Sequence, residues 1–194
     1  MAIYSNTPRY LWILCSQIFM IMLAPLMDES LIPYLLFALS LFFVFGSVIA
    51  RIRKKRFPKI LAVIAGIIAL LSSFVLIIPG LSPEIVKIGS SICTLSYAAF
   101  TFIAILSIAK SVFVNDEVTV DMILGSICTY LLIGMCFAFI YAGINFDGDM
   151  GFKVDRFYNY LYFSLTTLTT TGFGDIVPTS AFTKMLSAME GVIG

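Results

Sequence analysis

Five stretches of roughly twenty residues carry no charge away from their ends, and nothing else in the sequence constrains the fold as much. They cover residues 11–27, 31–50, 60–78, 85–109 and 122–144. Each is long enough to cross a ~30 Å hydrocarbon core as a helix of ~20 residues. Charged residues make up 12% of the chain and apolar residues 60%. A soluble domain carries about 25% charge, so this chain cannot clothe a globular surface. The pattern predicts an all-α membrane protein, a helical bundle. The first run is longer than the apolar core of a signal peptide and no A-x-A cleavage site follows it, so it is read as a retained span.

Lys and Arg in short loops set orientation. The segment 51–59 holds Arg51, Arg53, Lys54, Lys55, Arg56 and Lys59, six of the twelve basic residues. It is expected in the cytoplasm, with the amino terminus on the same side. The expected location is therefore the cell (inner or plasma) membrane, multi-pass, with membrane lipid as a partner. Those six residues also offer a contact for anionic headgroups. Small residues line one face of the third run (Ala62, Gly66, Ala69, Ser73) and of the fifth (Gly134, Ala138, Ala142), which lets helices approach closely.

Much chemistry is excluded. A net charge of +1 leaves no basic excess for nucleic acid. The chain has no histidine, the commonest general base and metal ligand. Cys15, Cys93, Cys128 and Cys136 lie in apolar stretches without C-x-x-C spacing and read as buried hydrophobes. Lys87 and Lys110 lie at opposite ends of the fourth run, where they can snorkel. No other charge interrupts the five spans, so a proton relay lacks its parts. The fourth run has no Arg or Lys at every third position, so no voltage-sensing helix is expected. No enzyme and no cofactor is expected. Asp116, Glu117 and Asp121 read as a solvated linker; Asp147, Asp149 and Asp155 read as an outer loop.

After the fifth run the pattern changes. Residues 158–169, Tyr-Asn-Tyr-Leu-Tyr-Phe-Ser-Leu-Thr-Thr-Leu-Thr, are aromatic on one side and rich in hydroxyls at the end. Twelve helical residues reach only about 18 Å. Thr170-Thr171-Gly172-Phe173-Gly174-Asp175 follows, and its glycines continue a helix poorly. A half-helix that enters the membrane and returns as irregular backbone fits this pattern. Such backbone survives at membrane depth only inside protein or along a water-filled path.

The stretch Thr-Leu-Thr-Thr-Thr-Gly-Phe-Gly-Asp resembles the potassium-channel signature, Thr-x-Gly-Tyr/Phe-Gly-Asp. The resemblance to the pore module of bacterial six-span, single-pore potassium channels covers residues 118–194. It implies a four-span region, 1–110, and a pore module, 111–194. The module would contain an outer helix at 122–144, a pore helix at 158–169, a filter at 170–174 and the start of an inner helix at 184–194. It further implies a homotetramer that passes K+ passively. Backbone carbonyls of Thr170, Thr171, Gly172 and Phe173, with the Thr170 hydroxyl, would replace the ion's water shell. Gly172 and Gly174 would permit the backbone angles required. Asp175 would sit at the outer mouth, and Tyr162 would brace it from the pore helix. Thr171 stands where the family usually has an aliphatic residue, and its hydroxyl is expected to find a partner in Thr166 or Thr167. Phe173 lacks the hydroxyl of the commoner Tyr.

Gly194 matches a hinge glycine, a candidate for gating. The sequence stops there, about 16 Å into the sixth span, which reads as a chain cut short. A truncated, non-conducting subunit that modulates full-length relatives is therefore the alternative. A transporter would show a second broken segment, and none is found.

Overall fold

In hydrocarbon a backbone amide has no water to turn to, so a helix, which pairs its own groups, is the natural spanning element. The computed structural model describes residues 10–26, 60, 63–69, 71, 82–112, 118–145, 151–154 and 156–194. Among these, every regular element is helical. The helices are α1 (Leu11–Leu23), α2 (Pro83–Val112), α3 (Val120–Ile144), α4 (Phe157–Leu168) and α5 (Ala181–Ile193), with a 3₁₀ turn at Ala24–Leu26. The protein is an all-α membrane protein. The run 31–50, the basic segment 51–59 and Asp116, Glu117, Asp147, Asp149 and Asp155 lie outside the described residues. Of the third run, residues 63–69 are helical, with Gly66 and Ala69 buried.

Two described helices are long and apolar enough to cross a membrane, over Glu84–Lys110 and Val120–Ile144. Glu84 near the start of α2 and Lys110 near its end both complement the helix dipole. Thr119 caps α3, its Oγ1 accepting the Met122 N–H at 3.2 Å. Hydroxyls within these helices donate to carbonyls one turn back, as from Thr101 to Tyr97 (2.9 Å) and Thr129 to Gly125 (2.8 Å). That removes the cost of polar groups in an apolar setting.

α2 and α3 run antiparallel. Gly125 lies against Val112, the Cys136 thiol donates to the Ala98 carbonyl at 3.5 Å, and Gly143 lies against Thr94. The Tyr97 and Phe139 rings stack across the pair, with centroids 5.2 Å apart. α1 leans on α3, where the buried Gln17 donates to the Cys128 carbonyl at 3.2 Å. Cys93, Cys128 and Cys136 are buried, whereas Cys15 is exposed. Trp12, Phe19 and Met22 of α1 and Ile88, Leu95, Phe102 and Leu106 of α2 are exposed apolar side chains, as suits a surface turned to lipid.

The polar stretch after α3 is less solvated than its composition suggests. Asn145, at the end of α3, is buried. Its amide nitrogen lies 3.1 Å from the Phe152 carbonyl, 2.9 Å from that of Val154 and 2.7 Å from the Tyr160 hydroxyl. Its Oδ1 accepts the Phe152 N–H at 3.0 Å. This holds Phe152 in an aromatic cluster with Tyr141, Tyr160 and Phe163, centroids 4.8–5.8 Å from its own. The cluster is the core against which α4 is set.

Asn145→Ala should strand the Phe152 N–H and the Phe152 carbonyl, while the Val154 carbonyl keeps the Tyr160 hydroxyl. Each buried group left unpaired costs about 1–3 kcal/mol. Thermal unfolding of the purified protein should show a clear loss of stability, and Asn145→Asp should not restore it, because a buried carboxylate would face the Phe152 and Val154 carbonyls.

Candidate functional site

α4 has twelve residues and stops inside the protein, so its last carbonyls need partners outside the helix. They find them in the loop that follows. Thr167 carbonyl accepts the Thr170 N–H at 2.9 Å, and Thr166 carbonyl accepts those of Thr171 (2.9 Å) and Gly172 (3.2 Å). The loop is folded back on the helix end.

Its backbone alternates in handedness. φ is +55° at Thr170, +52° at Gly172 and +78° at Gly174, and is not positive at Thr171 or Phe173. In an ordinary strand successive carbonyls point to opposite sides. Alternating left- and right-handed residues turn successive peptides the same way, as in the nests that gather N–H groups. Here the N–H groups of 170–172 are drawn to α4, and because each carbonyl lies trans to the N–H that follows it, the carbonyls of Thr169, Thr170 and Thr171 are turned the other way. Glycine accepts a positive φ freely, but a β-branched Thr there is a genuine outlier. Thr170 is held in it by the Thr167 carbonyl.

Residues 169–175 are exposed. The Phe173 ring stacks on that of Tyr162 at 6.2 Å and 5°. The Asp175 side chain lies near the Tyr162 hydroxyl. The Thr171 hydroxyl lies 2.9 Å from that of Thr169. This corrects the expectation from sequence, since the hydroxyl of Thr166 donates instead to the Phe163 carbonyl at 3.0 Å. Thr166 and Thr167 contribute backbone carbonyls. Thr169 lies one residue ahead of the stretch the sequence singled out, and an i, i+2 pair of threonines was the available signal.

The chain then leaves the loop through Ile176–Thr179, where the Thr179 N–H reaches the Gly151 carbonyl at 2.7 Å. α5 begins at Ala181, three residues before Lys184, because Ser180 caps it by accepting the Thr183 N–H at 3.2 Å. α5 packs along the back of α4. At Gly194 the approach is so close that an added Cβ would lie 1.7 Å from the Leu168 carbonyl oxygen. The candidate hinge is thus a contact glycine at the end of α4.

One further residue corrects the sequence reading. Glu190, on α5, is fully buried, so the described helices do hold an ionisable side chain away from water. Its carboxyl meets the hydroxyls of Tyr141 on α3, at 2.7 Å, and Ser164 on α4. An acid in an apolar helix after Lys184 was the signal. A reading that takes charges only as markers of span ends misses it.

Residues 125–194 match the ion channel family. The match supports a passive ion channel in the membrane. It starts within α3 and takes in α4, the 170–174 loop and α5, the same elements that build the geometry above. No curated protein and no solved structure matches the chain.

Gly194→Ala should force α5 off the end of α4, at a cost of about 1–3 kcal/mol for overpacking against backbone. Gly191→Ala is the control, because its Cβ would meet only the Thr167 carbonyl at 3.9 Å. Thermal stability should fall for the first and hold for the second. Equal effects would remove the close contact as the reason for glycine.

Proposed function

We propose that the chain is a subunit of a potassium-selective channel that conducts K+ passively through a tetrameric pore. The observation that carries this reading is the alternating backbone of Thr170–Gly174, set at the end of a half-helix within the residues that match ion channels. One loop supplies one column of carbonyls, so four copies around an axis make a cage. The carbonyls of Thr170, Thr171, Gly172 and Phe173 replace the ion's water shell, with the Thr170 hydroxyl at the inner end. The carboxy-terminal end of α4 turns its partial negative charge toward the same path.

The amino terminus and the basic segment 51–59 face the cytoplasm, with Asp175 at the outer mouth. Arg51, Arg53, Lys54, Lys55, Arg56 and Lys59 then lie where anionic lipid headgroups attract them. Gating proceeds without a voltage sensor in α2, whose charged residues stand near its ends. The stack of Phe173 on Tyr162 supplies the brace that a Tyr hydroxyl would give at position 173.

The test uses the purified protein reconstituted in liposomes. Barium-sensitive rubidium uptake should exceed that of protein-free vesicles, and potassium should permeate better than sodium. Absent flux, or equal permeability to the two ions, would overturn the reading. Tyr162→Phe keeps the stack but drops the hydroxyl, and should reduce steady conduction. If conduction and inactivation stay unchanged, Tyr162 does not support the filter through Asp175.

A further inference from the structure

Glu190 poses a problem of proton counting. Its Oε2 accepts from the Tyr141 hydroxyl at 2.7 Å, and its Oε1 makes a short contact with the Ser164 hydroxyl. Ser164 Oγ also lies 2.7 Å from the Gly134 carbonyl oxygen. A serine hydroxyl has one proton and a carbonyl has none. Were Glu190 a carboxylate, the two close contacts of Ser164 would share a single proton. One of them would be oxygen against oxygen with nothing between. With an acid at Glu190 the count closes. Glu190 donates to Ser164, Ser164 donates to the Gly134 carbonyl, and Tyr141 donates to the other carboxyl oxygen.

The surroundings agree. The titratable groups that face Glu190 are Tyr141 and Cys136 on α3, while α4 presents the hydroxyl of Ser164. Among the described residues no cation meets the carboxyl, and an unpaired charge in such a setting is costly. The chain Glu190–Ser164–Gly134 crosses all three helices behind the loop: α5, α4 and α3.

We propose that Glu190 carries its proton and is a positioning residue, a neutral link that fixes α5 and α3 against the half-helix from which the 170–174 loop hangs. Its effect on conduction rests on the channel reading; its proton does not. Infrared difference spectra of the full chain in lipid at neutral pH, wild type against Glu190→Gln, should show a carboxylic-acid carbonyl band present only in the wild type. Absence of that band would overturn the proposal. Ser164→Ala removes the acceptor of that proton and should shift the band; an unmoved band would break the link to α4.

In liposomes, Glu190→Ala removes both hydrogen bonds and should lower rubidium flux at least about tenfold, whereas Glu190→Gln should stay within about twofold because its amide can still donate to Ser164 and accept from Tyr141. Flux of Glu190→Ala equal to wild type, or of Glu190→Gln as low as Glu190→Ala, would overturn the positioning role. A wild type that carries no ions while keeping the band would sink the channel reading and leave the protonated link standing.

Discussion

A helix whose end is turned away from water must give its last carbonyls to something, because a buried polar group left unpaired costs about 1–3 kcal/mol. In this protein the last turn of α4 gives them to the N–H groups of Thr170, Thr171 and Gly172. The debt of the helix end and the shape of the loop are therefore one problem with one solution. Drawing these N–H groups to one side commits the carbonyls of Thr169, Thr170 and Thr171 to the other. The left-handed Thr170 is the local cost of that arrangement, held by the same set of bonds.

The half-helix itself is fixed from three directions. Tyr130 on α3 donates to the Leu168 carbonyl at 3.0 Å, at the very end of α4. Ser164 ties its middle to Gly134 and Glu190. At its start, Tyr160 joins the knot made by Asn145 and Val154. Tyr141 belongs to both systems, with its ring against Phe152 and Phe163 and its hydroxyl on Glu190. Apolar packing and hydrogen bonding thus meet in one side chain behind the loop.

The sequence made α3 and α4 readable to within two residues at each end, because a long apolar run and a short amphipathic one differ plainly in period and length. The glycine positions of the loop were readable too, since little else explains Gly172 and Gly174 beside an apolar span. Other features depend on who faces whom. Phe152 sits in a polar stretch, and only Asn145, seven residues away, shows it to be core. Glu190 finds partners 26 and 49 residues away on two other helices. Thr169, not Thr166 or Thr167, meets the Thr171 hydroxyl because the turn at 169–170 brings alternate side chains together. No periodicity encodes such meetings.

Gly172 and Gly194 show that one residue type can answer two unrelated demands. Within one subunit an added Cβ at Gly172 or Gly174 would touch nothing within 4 Å, yet both have positive φ. At Gly194 the same atom would run into backbone. The loop glycines are therefore a question of chirality, and the helix glycine a question of volume. A mirror-image residue would be at ease with the backbone angles of the first pair, whereas at Gly194 it is the Leu168 carbonyl, and not a backbone angle, that excludes the side chain.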